Sequence, residues 1–265
     1  HGKSVAWGAK RLKLRCKIFV SQHVSKTRID EIEKFGAEVI RVKGNYEESL
    51  KKCRTLSKKN NWKIIQDVSS KNYRYVPKLT MAGYSILIRE ISKQTNQYIT
   101  HMFLQAGVGG LAAGLVAGAA KYFKRIPKII IVEPDRADCV LQSIKSKKLK
   151  KIKIKKESIM GGMSCNEMSL VPWQILKKAT NYCVSVSDRN VARTVAKLKD
   201  KKFSYASIVG GECATPGIIA LIGICNDKKT RKLINLNPNS NVLVIGCEGN
   251  ADVKLYKQLL SKGRR

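Results

Sequence analysis

Three glycines, Gly107, Gly109 and Gly110, stand between the largely apolar run Ile99–Leu104 and a stretch of small residues that begins at Leu111. The pattern predicts a buried strand, a glycine-rich turn over Ala106, Gly107, Val108, Gly109 and Gly110, and a helix from Leu111. Bare backbone N–H groups then converge where a helix begins, and the positive end of the helix dipole points the same way. Such a turn suits an anionic group. A tight strand-to-helix connection made for packing alone is the competing explanation. A carboxylate is placed in a comparable way: Asp67 follows the run Trp62–Gln66, which reads as a strand. Asp is common in turns and caps, but open α/β sheets bind ligands at the carboxyl ends of their strands, so Asp67 is a candidate site residue.

Two cofactors use a glycine turn of this kind. Gly107-x-Gly109-x-x-Ala112 matches the dinucleotide fingerprint, and Glu133 ends the next apolar run where a ribose-binding acid belongs. Against a nicotinamide-dependent dehydrogenase, Glu133 is followed directly by Pro134 and Asp135, and no catalytic His or Tyr-x-x-x-Lys pair appears downstream. The other cofactor is pyridoxal phosphate, whose phosphate can be held almost entirely by backbone amides. The turn alone fits either.

The elements that must position these residues alternate between strand and helix, which argues an α/β protein with a mostly parallel sheet. Helix is predicted for residues 3–12 and strand for Leu14–Val20, followed by a helix capped by Ser25 and ended by Gly36. Strand Ala37–Val42 leads to a helix over 46–60, with Asn45 and Glu48 as a capping box. Pro77 fits the first turn of a long helix reaching Thr95. Further strands are expected at Ile129–Val132, Tyr182–Val186 and Val242–Ile245, and helices at Trp173–Ala179, Asn190–Lys199, after Gly210-Gly211-Glu212 and after Asp252. The division into domains is expected at 1–75 and 76–265. Ile159-Met-Gly-Gly-Met163 is apolar and glycine-rich, so it should approach another backbone or a ligand closely.

Composition narrows the function. With 265 residues and 43% hydrophobic content there is ample material for a core, and no run of about 18 apolar residues exists to cross a membrane. The eight cysteines form no C-x-x-C pair, which argues against zinc and against a disulfide scaffold; Cys139 and Cys165 are candidates to approach each other, which spacing alone does not show. A net charge of +33 would ordinarily point to nucleic acid. Here the excess is spread along the chain, Lys far outnumbers Arg, and aromatics are only 6%, which argues against specific nucleic-acid binding. Lys145–Lys156, with eight lysines in twelve residues, reads as a solvated loop or strand edge. A degenerate basic binding protein that keeps the fold is the non-enzyme alternative.

Taken in order, His-Gly-Lys-Ser-Val-Ala-Trp at 1–7, Ile-Ile-Gln-Asp at 64–67, Leu-Gln-Ala-Gly-Val-Gly-Gly at 104–110, Glu-Pro-Asp-Arg-Ala-Asp-Cys at 133–139, Ile-Met-Gly-Gly-Met-Ser-Cys at 159–165, Gly-Gly-Glu at 210–212 and Cys-Glu-Gly at 247–249 resemble diaminopropionate ammonia-lyase. That family uses pyridoxal 5'-phosphate on the tryptophan synthase β-like fold, with two α/β domains. The resemblance implies that 1–75 is part of the smaller domain and 76–265 the larger, cofactor-binding one. It implies a phosphate site at Ala106, Gly107, Val108, Gly109, Gly110 and Leu111, and Cys247 near the pyridine nitrogen. Glu212 would lie near the cofactor ring, and Asp67 would line the active site as a catalytic acid or base. No metal is implied. The implied reaction is α,β-elimination of 2,3-diaminopropionate to pyruvate and ammonia, in a cytoplasmic homodimer. The chain opens on His1 rather than Met, and none of its lysines matches the family's Schiff-base lysine, which lies upstream of the segment matching His1. The expectation is therefore an N-terminally truncated, catalytically incompetent chain. Val68, Asn250, Gly210 and Cys213 also replace polar residues usual in the family.

Overall fold

The computed structural model describes residues 1–44 and 46–265, apart from the side chain of Glu47. Two units are present: His1–Asp67 with Ala251–Lys254, and Val68–Asn250 with Leu255–Arg265. Residues 68–75, assigned from sequence to the first domain, thus fall in the second. The reason is polar: Ser69 offers its N–H to Ser169 Oγ at 2.7 Å and accepts the N–H of Val171 on its own Oγ at 2.8 Å.

In the first unit β1 (Lys17–Ser21) and β2 (Glu38–Val42) pair in parallel, Lys17 opposite Glu38. Helices α1 (Gly2–Arg11), α2 (Lys26–Glu33) and α3 (Tyr46–Lys59) accompany them, and Ala6, Ile32 and Ala37 form a small core. Ser25 caps α2 through the Arg28 N–H, and Gly36 leaves it with φ +79, as its position predicts. The first strand starts later than expected because Lys13 adopts a left-handed φ of 55, which turns the chain before it can extend. Trp62–Gln66 is not a strand: among the described residues it has no ladder partner. The capping role expected of Asn45 lies outside the described residues.

The second unit begins with α4 (Tyr75–Gln94), β3 (His101–Gln105), α5 (Gly110–Tyr122) and β4 (Lys128–Pro134). It continues through α6 (Cys139–Ser146), α7 (Leu170–Ala179), β5 (Tyr182–Val186) and α8 (Val191–Lys199). Helices α9 (Pro216–Asn226) and α10 (Lys228–Leu233), strand β6 (Val242–Val244) and helix α11 (Val253–Arg264) close the chain. The strands form a parallel sheet in the order β5-β4-β3-β6. Side chains alternate along each strand, and here both faces are covered, so the inner strands are apolar at Met102–Leu104 and Ile129–Val132. Met102, Leu104, Ile129 and Ile131 join one core with residues of α4, α5 and α7, whereas Phe103, Ile130 and Val132 join another with α8 and α9. Each such side chain contributes about 1.5–3 kcal/mol by leaving water.

Helix α6 was not anticipated. Its first turn is held by the Glu133 carboxylate, a contact between β4 and α6 that local pattern does not reveal. All eight lysines of 145–156 are exposed. No helix among the described residues is long and apolar enough to cross a membrane.

Helix α5 sits close against α4 because small residues face it. A Cβ at Gly114 would lie 2.7 Å from the Met81 carbonyl oxygen, while one at Gly83 would meet nothing within 4 Å. Gly114→Ala is therefore expected to destabilise the protein by about 1–3 kcal/mol in urea unfolding, as overpacking does. Gly83→Ala is expected to stabilise it by about 0.5–1 kcal/mol, since only helix entropy changes there.

Candidate cofactor site

The turn from β3 into α5 is an open ring of donors. Gly109 occupies the N-cap position with φ +90, which only glycine adopts without strain, and no side chain caps the helix. No acidic residue stands in the first turn of α5 to take up its dipole. Among the described residues the N–H groups of Gly107, Val108, Gly109, Gly110 and Leu111 find no acceptor. Ala106 differs: its N–H donates to the Val132 carbonyl at 3.0 Å, so it shapes the turn without offering a donor.

At Gly107 the turn has no room for a side chain. A Cβ at Gly107 would lie 2.9 Å from Cys165 Sγ and 3.2 Å from both Gly162 O and Met163 Cα. The segment 159–165 thus packs directly on the turn, as its composition predicts. Asp188 anchors that segment, accepting from Ser158 Oγ at 2.6 Å, from the Ile159 N–H at 3.2 Å and from Arg136 at 3.0 Å. The runs 133–139 and 159–165 therefore meet on one carboxylate. On another side Ser169 donates its N–H to Val108 O at 2.9 Å while its hydroxyl bonds Ser69 Oγ at 2.6 Å. Cys139 and Cys165 both lie against Gly107 and are not joined in a disulfide.

Beside the turn two loops are joined. Gly211 donates its N–H to Glu248 O at 2.9 Å, and a Cβ there would lie 2.4 Å from Gly249 O, so the backbones touch. Glu248 also accepts the Cys213 N–H at 2.8 Å. This brings Glu212 and Cys247, each far from the turn in sequence, to the end of β3. Glu212, Cys213 and Glu248 gather three donor atoms within 4.8 Å of one another. The link to the turn is Gln105, buried to 4% exposure, whose Nε2 donates to Ile245 O at 2.8 Å and to Cys247 Sγ at 3.2 Å. Its Oε1 is buried without a partner, an acceptor that costs free energy while unmatched.

Sequence reasoning missed Gln105, Ser69 and Ser169. For Gln105 a signal existed, since it is a polar residue ending an apolar strand just before the glycines. For the serines, a hundred positions apart, there was none. Asp67 belongs to the first unit, in a half-buried bend, while the other candidate residues all belong to the second.

Glu133 is not placed for a ribose. It is 1% exposed, and its two oxygens accept the N–H groups of Val140 and Leu141, each at 2.8 Å. Burial outweighs those donors and pushes its carboxyl up to about 8. Burial likewise raises the thiols of Cys139 and Cys213, and that of Cys183 to about 12, with the Glu133 charge adding to the first and last. These thiols are not poised as nucleophiles.

A family profile described as pyridoxal-phosphate dependent enzyme matches residues 1–248. Diaminopropionate ammonia-lyase of Escherichia coli K12 is 30% identical over 271 residues, covering all of this chain and 68% of that protein. The Salmonella typhimurium enzyme of the same name is 29% identical over 276 residues, again covering all of this chain and 68% of its own length. The crystal structure of holo diaminopropionate ammonia-lyase from Escherichia coli superposes with a TM-score of 0.91 at 29% identity, over all of this chain and 68% of that one.

The Glu133 environment has a pH signature. Its folded value is raised from 4.5, so between those values the folded state binds more proton than the unfolded chain. The Glu133 contribution to stability is expected to be fully present below about pH 4.5 and to be lost as pH rises through about 8. Glu133→Gln should flatten that slope in urea midpoints measured across the window; an unchanged slope would show that Glu133 is not its source.

Proposed function

This chain belongs to the pyridoxal-phosphate dependent enzyme family, and from that premise we propose that its site serves the α,β-elimination of 2,3-diaminopropionate to pyruvate and ammonia. The observation that carries the proposal is the set of five N–H groups at 107–111 without an acceptor among the described residues, in a turn where Gly107 and Gly109 admit no side chain. That donor set fits a phosphate dianion, and the turn's neighbours fit a heteroaromatic ring. Cys247 supplies a weak hydrogen-bonding sulfur and the orphaned Gln105 Oε1 marks a polar position still to be matched.

Bound there, pyridoxal phosphate would act as an electron sink for the α-carbon of an amino acid. This chain's part is to hold and orient it. The N–H groups of Gly107 to Leu111 would hold the phosphate, reinforced by the dipole of α5. The 159–165 segment packs on the turn at Gly107 and holds its backbone in place. A thiol at the ring nitrogen does not hold the ring protonated, which suits an elimination that needs only a moderate sink. Glu212, buried, contributes a carboxylate near the ring, and Asp67 is assigned the proton transfer at the substrate. The assignment to diaminopropionate rests on the two lyases of that name and on the runs 133–139 and 159–165. A small amino-acid substrate, a homodimer and a cytoplasmic setting go with it.

No lysine of this sequence matches the family's cofactor-bearing lysine, so we expect this chain alone to bind the phosphate end and not to turn over. Pyridoxal phosphate, but not NAD, should raise its unfolding temperature, and Gly107→Val should abolish that rise. The protein as its source makes it should release pyruvate from 2,3-diaminopropionate, and Asp67→Asn should lower that release about 10²- to 10⁴-fold, the usual worth of a positioned acid or base. Stabilisation by NAD instead of pyridoxal phosphate, or pyruvate release by this chain alone, would overturn the corresponding statement.

A further inference from the structure

Gln105 is the one carboxamide among the residues of β3, and it is buried at the end of the strand where the glycine turn begins. Its orientation is fixed by its surroundings. The nitrogen faces two main-chain carbonyls, Ile245 O at 2.8 Å and Cys213 O at 3.4 Å. Turning the amide over would set Oε1 against both oxygens with no proton between them, so Nε2 must stay on that side. The same nitrogen lies 3.2 Å from Cys247 Sγ, and it can only donate. Cys247 sulfur is therefore the acceptor on its inner side. A thiol carries one proton, which must then point away from Gln105.

We propose that Gln105 is a positioning residue that pins Cys247 as a hydrogen-bond acceptor toward the strand and so presents its S–H outward, as the donor to the cofactor's ring nitrogen. The outward half of this statement rests on the pyridoxal-phosphate reading of the site; the inward half does not. The contact also tunes the thiol. Partial loss of water raises it and the Glu248 charge adds to that, while the Gln105 N–H works in the opposite direction by favouring the charged sulfur. Gln105 thus joins the strand that carries the phosphate turn to the loop that carries the ring partner, and a change at 105 is felt at 247 although 142 positions separate them.

The test needs no turnover. Peptide-resolved iodoacetamide alkylation of the purified chain, without cofactor, gives a pH profile for Cys247, with exposed Cys225 as internal control. Gln105→Leu removes the donor and should move the Cys247 midpoint up by about half a unit to one unit, slowing alkylation about three- to tenfold below it, with Cys225 unchanged. Gln105→Asn, which retracts the amide by one methylene, should shift it in the same direction and serves where the leucine variant does not fold. A folded variant with an unmoved Cys247 profile would overturn the proposal. A second arm leaves Gln105 intact: in Cys247→Ala one Gln105 side-chain amide proton should exchange faster by NMR while the other, on Ile245 O, stays slow. If neither changes, the contact does not exist. Finally, pyridoxal phosphate should protect Cys247 from alkylation in the unmutated chain. A shift on mutating Gln105 without such protection would sink the ring-side assignment of Cys247 and leave the hold of Gln105 on the thiol standing.

Discussion

The second unit is arranged around the turn between β3 and α5, where Gly107 and Gly109 leave no room or no allowed conformation for a side chain. Five N–H groups in a row and an uncapped helix start find no acceptor among the described residues, and the half-buried turn leaves them to water or to a ligand. Folding tolerates the arrangement only because the surroundings are rigid. The strand before the turn is buried on both faces, the helix after it is locked against α4 through Gly114, and the 159–165 segment closes over Gly107. An anion that enters the turn finds those donors already in place and has only their water to displace.

That rigidity comes from two different kinds of contact. Apolar packing sets the distances, since alternate residues of β3 and β4 feed separate cores and fix the sheet between two helical layers. Polar contacts set the loops. Asp188 ties the 133–139 and 159–165 runs together, Ser169 ties the turn to Ser69, and Glu248 ties the Glu212 loop to the Cys247 loop. Packing alone would leave these loops several conformations of similar energy. Directional bonds to buried groups choose one.

Glu133 shows how a residue type can mislead when its environment is unknown. An acid at the end of the strand after a glycine turn is what a ribose site requires, and the spacing is right for one. In the folded chain the same carboxylate turns inward and starts α6, where its neighbours leave no face open. The spacing served a helix start, and the pattern could not distinguish the two uses because both demand an acid at a strand end.

The sequence by itself determined the alternation of strands and helices, most of their limits, the glycine turn and its chemistry, and the ordered runs that single out the enzyme family. These are local properties: side-chain periodicity, turn propensity and short motifs act over a few residues. The tertiary structure decided what depends on residues far apart. It placed the unit boundary after Asp67 and denied Trp62–Gln66 a strand partner. It started α6 from Glu133, and it set Gln105 against Cys247 and Ser69 against Ser169. A hydrogen bond is specified by geometry at about 3 Å, and that geometry exists only after packing has brought distant segments together. The candidate site was therefore legible as a cradle, and illegible as the polar framework that holds the cradle open.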